Sequence, residues 1–149
     1  MQNRAIMPTL WLLIVLFLML ILHFALPLRT LVALPWSLSG LLPLALGIAI
    51  NLIADGAFHQ AHTTVKPFRE SSALITEGVF AFTRNPMYLG FIAVLTGAAL
   101  LLGTITPWLV ILPFAVLMDR GYIAVEEQML ADKFGPAWDA YRSRVRRWL

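Results

Sequence analysis

Four long apolar runs dictate what this chain can fold into. They occupy residues 9–26, 37–54, 86–102 and 106–118. A helix needs roughly 20 apolar residues to cross the hydrocarbon of a bilayer. Within lipid, backbone N–H and C=O groups must be satisfied internally. The chain is 60% hydrophobic and only 13% charged, whereas a soluble domain is about a quarter charged. The bilayer is therefore the expected solvent. The expected fold is an all-α membrane protein of about four transmembrane helices, forming a single integral membrane domain over residues 1–149.

The first run ends in Leu26-Pro27-Leu28-Arg29 without a small-x-small cleavage site, so it reads as a retained helix rather than a leader. Residues 1–54 hold two N-terminal spans, and Pro43 is a candidate kink in the second. Residues 55–85 form a polar loop. Residues 86–149 hold the third and fourth runs and a C-terminal segment. Gly103 and Pro107 between those runs predict a tight helical hairpin. The fourth run alone is too short to span, and it is expected to continue as helix through Asp119 and Arg120.

The C-terminal segment is amphipathic. Ile123, Glu127, Leu130 and Phe134 recur at helical spacing, and Gly135-Pro136 ends one helix and starts another. Beyond it, Trp138, Tyr141, Val145 and Trp148 fall on one side of a continued helix, with Arg142, Arg146 and Arg147 largely opposite. That pattern suits a helix lying in the headgroup layer; a helix packed on the protein is the alternative.

Charge sets the expected orientation. Arg29 is the one charged residue between the first two runs, and the hairpin tip has none. The 55–85 loop carries Lys66, Arg69 and Arg84, and the chain after Met118 carries six more basic residues. Basic loops stay cytoplasmic, so both termini, the loop and the tail are expected there. The net charge of +3 is too small to suggest nucleic acid, and without cysteine there is no thiolate nucleophile or disulfide framework.

Two polar clusters stand at the expected cytoplasmic boundary. The first is Thr83-Arg84-Asn85-Pro86-Met87-Tyr88-Leu89-Gly90. Pro86 suits the first turn of a helix, which puts Arg84 and Asn85 at its positive end, a place that attracts carboxylate or phosphate. Arg84 adds a fork-shaped carboxylate donor. Tyr88 lies one turn in. Gly90, Ala93 and Gly97 make a small-residue stripe that admits either another helix or a flat ligand. The second cluster is Glu126-Glu127. Adjacent helical residues point about 100° apart, so one carboxylate can face the bundle and the other a basic neighbour or water. The hairpin brings both clusters to one face.

Thr83–Gly90, followed by Glu126-Glu127-x-x-Leu130 with Phe134-Gly135, Trp138, Tyr141, Val145 and Arg147, resembles the isoprenylcysteine carboxyl methyltransferase and phospholipid methyltransferase family of membrane enzymes. The likeness runs over residues 63–148 and includes Ala73-Leu74-Ile75-Thr76-Glu77-Gly78. It implies S-adenosylmethionine-dependent methyl transfer to a lipophilic acceptor, an isoprenylcysteine-type carboxylate or a phospholipid amine. Cofactor-binding residues would be Arg84, Asn85, Pro86, Tyr88, Leu89, Gly90, Glu126 and Glu127. Arg84, Glu127 and Arg142 are the candidate catalytic residues, with Arg142 or Arg144 orienting an anionic substrate group. The implied partners are a lipid or lipophilic small molecule and the bilayer, in a bacterial cytoplasmic membrane. Asn85 stands where eukaryotic members carry histidine, and Trp138 where tyrosine is frequent. The competing class is a non-catalytic membrane partner that keeps the fold. Asp55, His59 and His62 share a helical face as metal ligands can, but interfacial polar residues closing a span are the simpler reading, and no metal is expected.

Overall fold

The computed structural model describes residues 7–61 and 72–149. His62, Lys66 and Arg69 lie outside the described residues. All regular structure among the described residues is helical, apart from one isolated bridge between Thr30 and Thr104.

Helix α1 spans Pro8–Ala25, with proline in its first turn. A 3-10 turn, Trp36–Gly40, runs directly into α2, Leu41–Gln60. Pro43 therefore falls in the first turn of α2, just past the change of winding. A second 3-10 turn, Gly78–Ala81, leads to α3, Pro86–Leu102. Another, Thr106–Val110, opens the last long helix, which continues as α4, Ile111–Met118, a π-helical turn Asp119–Ile123, and α5, Ala124–Phe134. Helix α6 spans Pro136–Arg144.

Three of these helices are long and apolar enough to cross a membrane: Pro8–Ala25, Trp36–Gln60 and Thr106–Phe134. Helix α3 is apolar but has 17 residues, about 25 Å at the helical rise. The expected count of four spans is thus reduced to three helices of full length and one shorter one. The fourth run is the long one, because its helix carries on past Asp119 and Arg120 as expected. The second span also outlasts its predicted end at Ala54: Asp55, Gly56 and Phe58 stay helical, so the polar loop begins later.

The outward faces of α1 and α2 are apolar. Phe17, Leu42 and Leu52 are among many large hydrophobic side chains left exposed, the reverse of a water-facing surface and the expected one against acyl chains. Met19, Leu95, Ala99, Phe114, Met118 and Ile123 fill the interior between α1, α3 and the long helix.

Helices α2 and α3 approach through glycine. A Cβ on Gly97 would lie 2.6 Å from the carbonyl oxygen of Gly40, and one on Gly47 would strike that of Gly90. A Cβ on Gly90 would strike the side-chain amide of Asn51. The small-residue stripe is therefore a helix-packing surface rather than the wall of a ligand cleft, as is common between membrane helices.

Backbone bonds tie the far end of the bundle. Gly103, left-handed at φ 73°, ends α3. Its carbonyl accepts from the N–H groups of Leu31 and Val32, and Ile105 N–H donates to Arg29 O at 3.0 Å. His23 Nδ1 and Thr104 Oγ1 share a hydrogen bond of 2.8 Å. The N-terminus of α3 and the C-terminal half of the long helix meet at the opposite end.

Gly97→Val should lower the thermal unfolding midpoint clearly, because overpacking costs about 1–3 kcal/mol. Gly56 has nothing within 4 Å of a Cβ, so Gly56→Ala should be neutral or slightly stabilising, by up to about 1 kcal/mol. Thermal unfolding of both variants in one detergent checks the pair. Equal midpoints for the two would refute the close approach.

Candidate functional site

The segment before α3 is held by the chain's last residues. Arg84 N–H donates to Arg146 O at 3.0 Å. Thr83 Oγ1 and Asn85 Nδ2 both donate to Arg147 O at 3.1 Å. Asn85 is the residue before α3, a position where its side chain would ordinarily cap the helix, yet no side chain caps α3. The amide is oriented instead by donating its Nδ2 to Arg147 O. The positive end of α3, with Pro86 in its first turn, is left to face another partner.

Arg84 reaches inward from this mouth. Its Nη2 lies 3.1 Å from Glu127 Oε1, with both side chains about nine-tenths buried (9% and 11% exposed). The approach is electrostatic rather than a well-angled hydrogen bond, since Glu127 Oε1 and Arg84 Nε have no hydrogen-bond partner. Arg84 Nη1 makes a long contact of 3.5 Å to Arg142 O. The guanidinium carbon sits 5.6 Å from the ring centroid of Trp138, within reach of a cation–π attraction. Burial pulls the Arg84 pKa below its ordinary value, and Glu127 opposes that shift. The group stays charged, as arginine does.

The other oxygen of Glu127 belongs to Arg147. Arg147 Nη2 and Nε donate to Oε2 at 2.6 and 3.2 Å. That bond is the chief reason the Arg147 pKa is raised. Arg147 Nη1 also lies 3.4 Å from each oxygen of Asp119. Glu126 points elsewhere: its Oε1 accepts from Tyr88 OH at 2.9 Å. The two glutamates thus diverge as their helical positions predict, one to the bundle and one to the arginines.

The structure brings together Arg84 with Glu127 and Tyr88 with Glu126. Leu89 stays half-buried in the first turns of α3, its N–H donating to Asn85 O at 3.1 Å. Gly90 packs against Gly47 and Asn51 of α2. The Arg142 side chain is exposed, and only its carbonyl approaches Arg84. Asp55 and His59 lie 3.4 Å apart on an exposed surface, and no group of three metal-binding side chains occurs among the described residues.

The amphipathic tail also differs from its headgroup reading. Helix α6 ends at Arg144, and Val145 is extended at φ −118°. Val145 and Trp148 therefore lie beyond the helix. Trp138 and Tyr141 are almost fully buried, at 1% and 3% exposure. Their side faces protein, with Tyr141 OH donating to Phe80 O at 2.7 Å. The packed alternative is what forms.

Among the described residues, three buried polar atoms here have no hydrogen-bond partner: Arg84 Nε, Trp138 Nε1 and Glu127 Oε1, the last meeting only the charge of Arg84. Such atoms are costly in a dry site unless something meets them. Two are donors beside a guanidinium and an uncapped helix end, suited to a carboxylate. The third is a carboxylate oxygen, suited to an ammonium or hydroxyl. This donor and acceptor set fits an amino-acid moiety bearing both groups, such as that of S-adenosylmethionine. Arg147, Asp119 and Trp138 are the site residues that sequence reasoning did not assign.

A family described as phospholipid methyltransferase matches residues 35–137. A Haemophilus influenzae protein described as uncharacterized is 38% identical over 63 residues, which are 42% of this chain and 100% of that one. The protein-S-isoprenylcysteine O-methyltransferase of Schizosaccharomyces pombe is 28% identical over 88 residues, 57% of this chain and 36% of that one. Among solved structures, a eukaryotic intramembrane Ras methyltransferase, isoprenylcysteine carboxyl methyltransferase, superposes with a TM-score of 0.66 at 21% identity, covering 93% of this chain and 49% of that chain. That last likeness is one of fold. The chain spans about half the length of the solved relative and about a third of the yeast protein.

Burial pushes the Tyr141 hydroxyl up to about 12 from an ordinary 10.0, with Arg84 opposing and Glu127 adding to the shift. The folded state then holds this proton more tightly than the unfolded one. Its contribution is complete below pH 10 and is lost as pH rises towards 12. Tyr141→Phe should cost about 1 kcal/mol at neutral pH through the lost hydrogen bond. It should also flatten the fall in stability between pH 10 and 12. Denaturation followed across that range checks both.

Proposed function

The chain belongs to the phospholipid methyltransferase family, and from that premise we propose that the site built around the Arg84–Glu127 pair binds S-adenosylmethionine for methyl transfer to a lipophilic acceptor in the membrane. The observation that carries this reading is the buried Arg84–Glu127 pair with unpartnered polar atoms on both members and on the neighbouring Trp138. Bound there, the cofactor would supply a methyl group on a sulfonium to the acceptor's nucleophile, with a neutral thioether as leaving group.

Arg84 and the uncapped start of α3 hold the carboxylate end. Glu127 is fixed on Oε2 by Arg147, and its Oε1, beside Arg84 Nη2 at 3.1 Å, keeps hydrogen-bond capacity for a hydroxyl or ammonium. Tyr88 and Glu126 form the bundle-side wall of the same mouth. Trp138 covers the guanidinium and excludes water, which strengthens every charge contact inside. Asn85, Pro86 and Leu89 shape the turn that presents Arg84. Gly90 contributes by letting α2 approach. Arg142 is offered as an outer cation for an anionic acceptor group. Rate enhancement then comes from positioning and a dry site. A carboxylate acceptor needs no general base.

In the membrane we propose four spans, with α3 crossing by help of its flanking residues, and α3 and the long helix forming an antiparallel hairpin within one domain. Arg84, Arg120 and the tail residues Arg142, Arg146 and Arg147 lie at the end that carries the site. The positive-inside tendency supports a cytoplasmic position for that end and for both termini, in a bacterial inner membrane.

Calorimetry on protein purified in nanodiscs tests the reading. S-adenosylmethionine should bind, and Arg84→Ala or Glu127→Ala should weaken binding by roughly 30-fold or more, the loss of a buried charged hydrogen-bond partner. Label from the methyl group should enter a lipid extract with wild type and not with either variant. Folded wild type that takes up no cofactor would rule the reading out.

A further inference from the structure

The π-helical turn Asp119–Ile123 has a geometric effect on the cleft. In a regular helix, residues eight apart point about 80° from each other. A π turn accommodates one extra residue and sets the helix back by roughly 100°. Asp119 and Glu127, eight apart, are thereby brought nearly into line. Both carboxylates meet the same guanidinium, that of Arg147. Asp119 Oδ1 also accepts from Trp148 Nε1 at 3.1 Å.

The backbone of this short C-terminal strap is what the opening motif grips: Arg84 N–H takes Arg146 O, and Thr83 and Asn85 take Arg147 O. The strap thus lies between the motif on one side and the long helix on the other. Of the two long-helix carboxylates that hold it, Glu127 also faces Arg84. Among the described residues, Asp119 pairs with the strap and, at 3.8 Å, with its own neighbour Arg120.

We propose that Asp119, presented by the π turn, is a positioning residue for the cofactor cleft: it seats the strap through Arg147 and Trp148 and so fixes Glu127 and the start of α3 for ligand. Without it, one carboxylate must hold Arg147 and serve the cleft together. The proposal rests on the reading of the cleft as an S-adenosylmethionine site.

The test uses full-length protein in nanodiscs as wild type, Asp119→Asn, Asp119→Glu and Trp148→Phe. Asparagine keeps an acceptor for Trp148 but removes the charge facing Arg147. Hydrogen exchange of peptides covering Arg84 reports the strap without any ligand, because the Arg84 N–H is bonded to Arg146. Asp119→Asn should speed that exchange and raise the Kd and KM for S-adenosylmethionine by roughly fivefold, the scale of a partly exposed ion pair. Its kcat should stay near wild type, and Asp119→Glu should restore most of the affinity. Should Asp119→Asn not fold, Trp148→Phe removes the 3.1 Å bond alone and must move exchange and Kd in the same direction. Unchanged exchange, or a released strap with unchanged Kd, overturns the role of Asp119. A protected strap in wild type that binds no S-adenosylmethionine overturns the cleft reading, and this proposal with it.

Discussion

Lipid offers no hydrogen-bond partners, and that single constraint organises this molecule. Apolar helices can turn leucine and phenylalanine outward at no cost, but every polar group must be collected where protein can satisfy it. The chain does this at its two ends. At one end, loop backbones bind each other around Gly103. At the other, charged side chains are buried against one another and under an indole ring. The second solution is the expensive one, because buried charges need partners on every side. Arg84 and Glu127 are buried at that cost, with polar atoms that a bound ligand would meet.

Much of this was legible in the sequence, and the reasons are local. Gly103, Gly135 and Pro136 act on their own residues, so the ends of α3, α5 and the start of α6 follow from residue type. The pairing of Arg84 with Glu127 was legible because two apolar helices joined by a short turn bring their outer ends together. What failed depended on phase or on surroundings. The stripe at Gly90 was open between a helix and a flat ligand because small residues make the same pattern for either; the structure shows α2 against it. Trp138 and Tyr141 were assigned to lipid because periodicity identifies a face, not what covers it.

The π turn explains the largest omission. Regular 3.6-residue counting puts Asp119 and Glu127 on different sides, so nothing in the sequence joins Asp119 to the cleft. Arg147 was visible in the motif but had no assignable partner until that phase shift aligned two carboxylates upon it. Asn85 is a related case: it occupies a capping position with a capping side chain, yet its amide is oriented by donating Nδ2 to a distant carbonyl and does not cap. Local preference is a weak force beside a tertiary bond in a dry site.

The strap has a consequence for biogenesis. Asn85 bonds to a carbonyl 62 residues later in the chain. At synthesis rates of roughly 5–20 residues per second, the ribosome delivers Asn85 several seconds before Arg147. Throughout that interval the apolar helices can enter the bilayer and pack, while Thr83 and Asn85 wait for the carbonyl that holds them. Assembly is therefore ordered in time, with the spans first and the polar mouth last. A chain arrested short of the strap would be a well-inserted membrane protein that has not yet acquired its cleft.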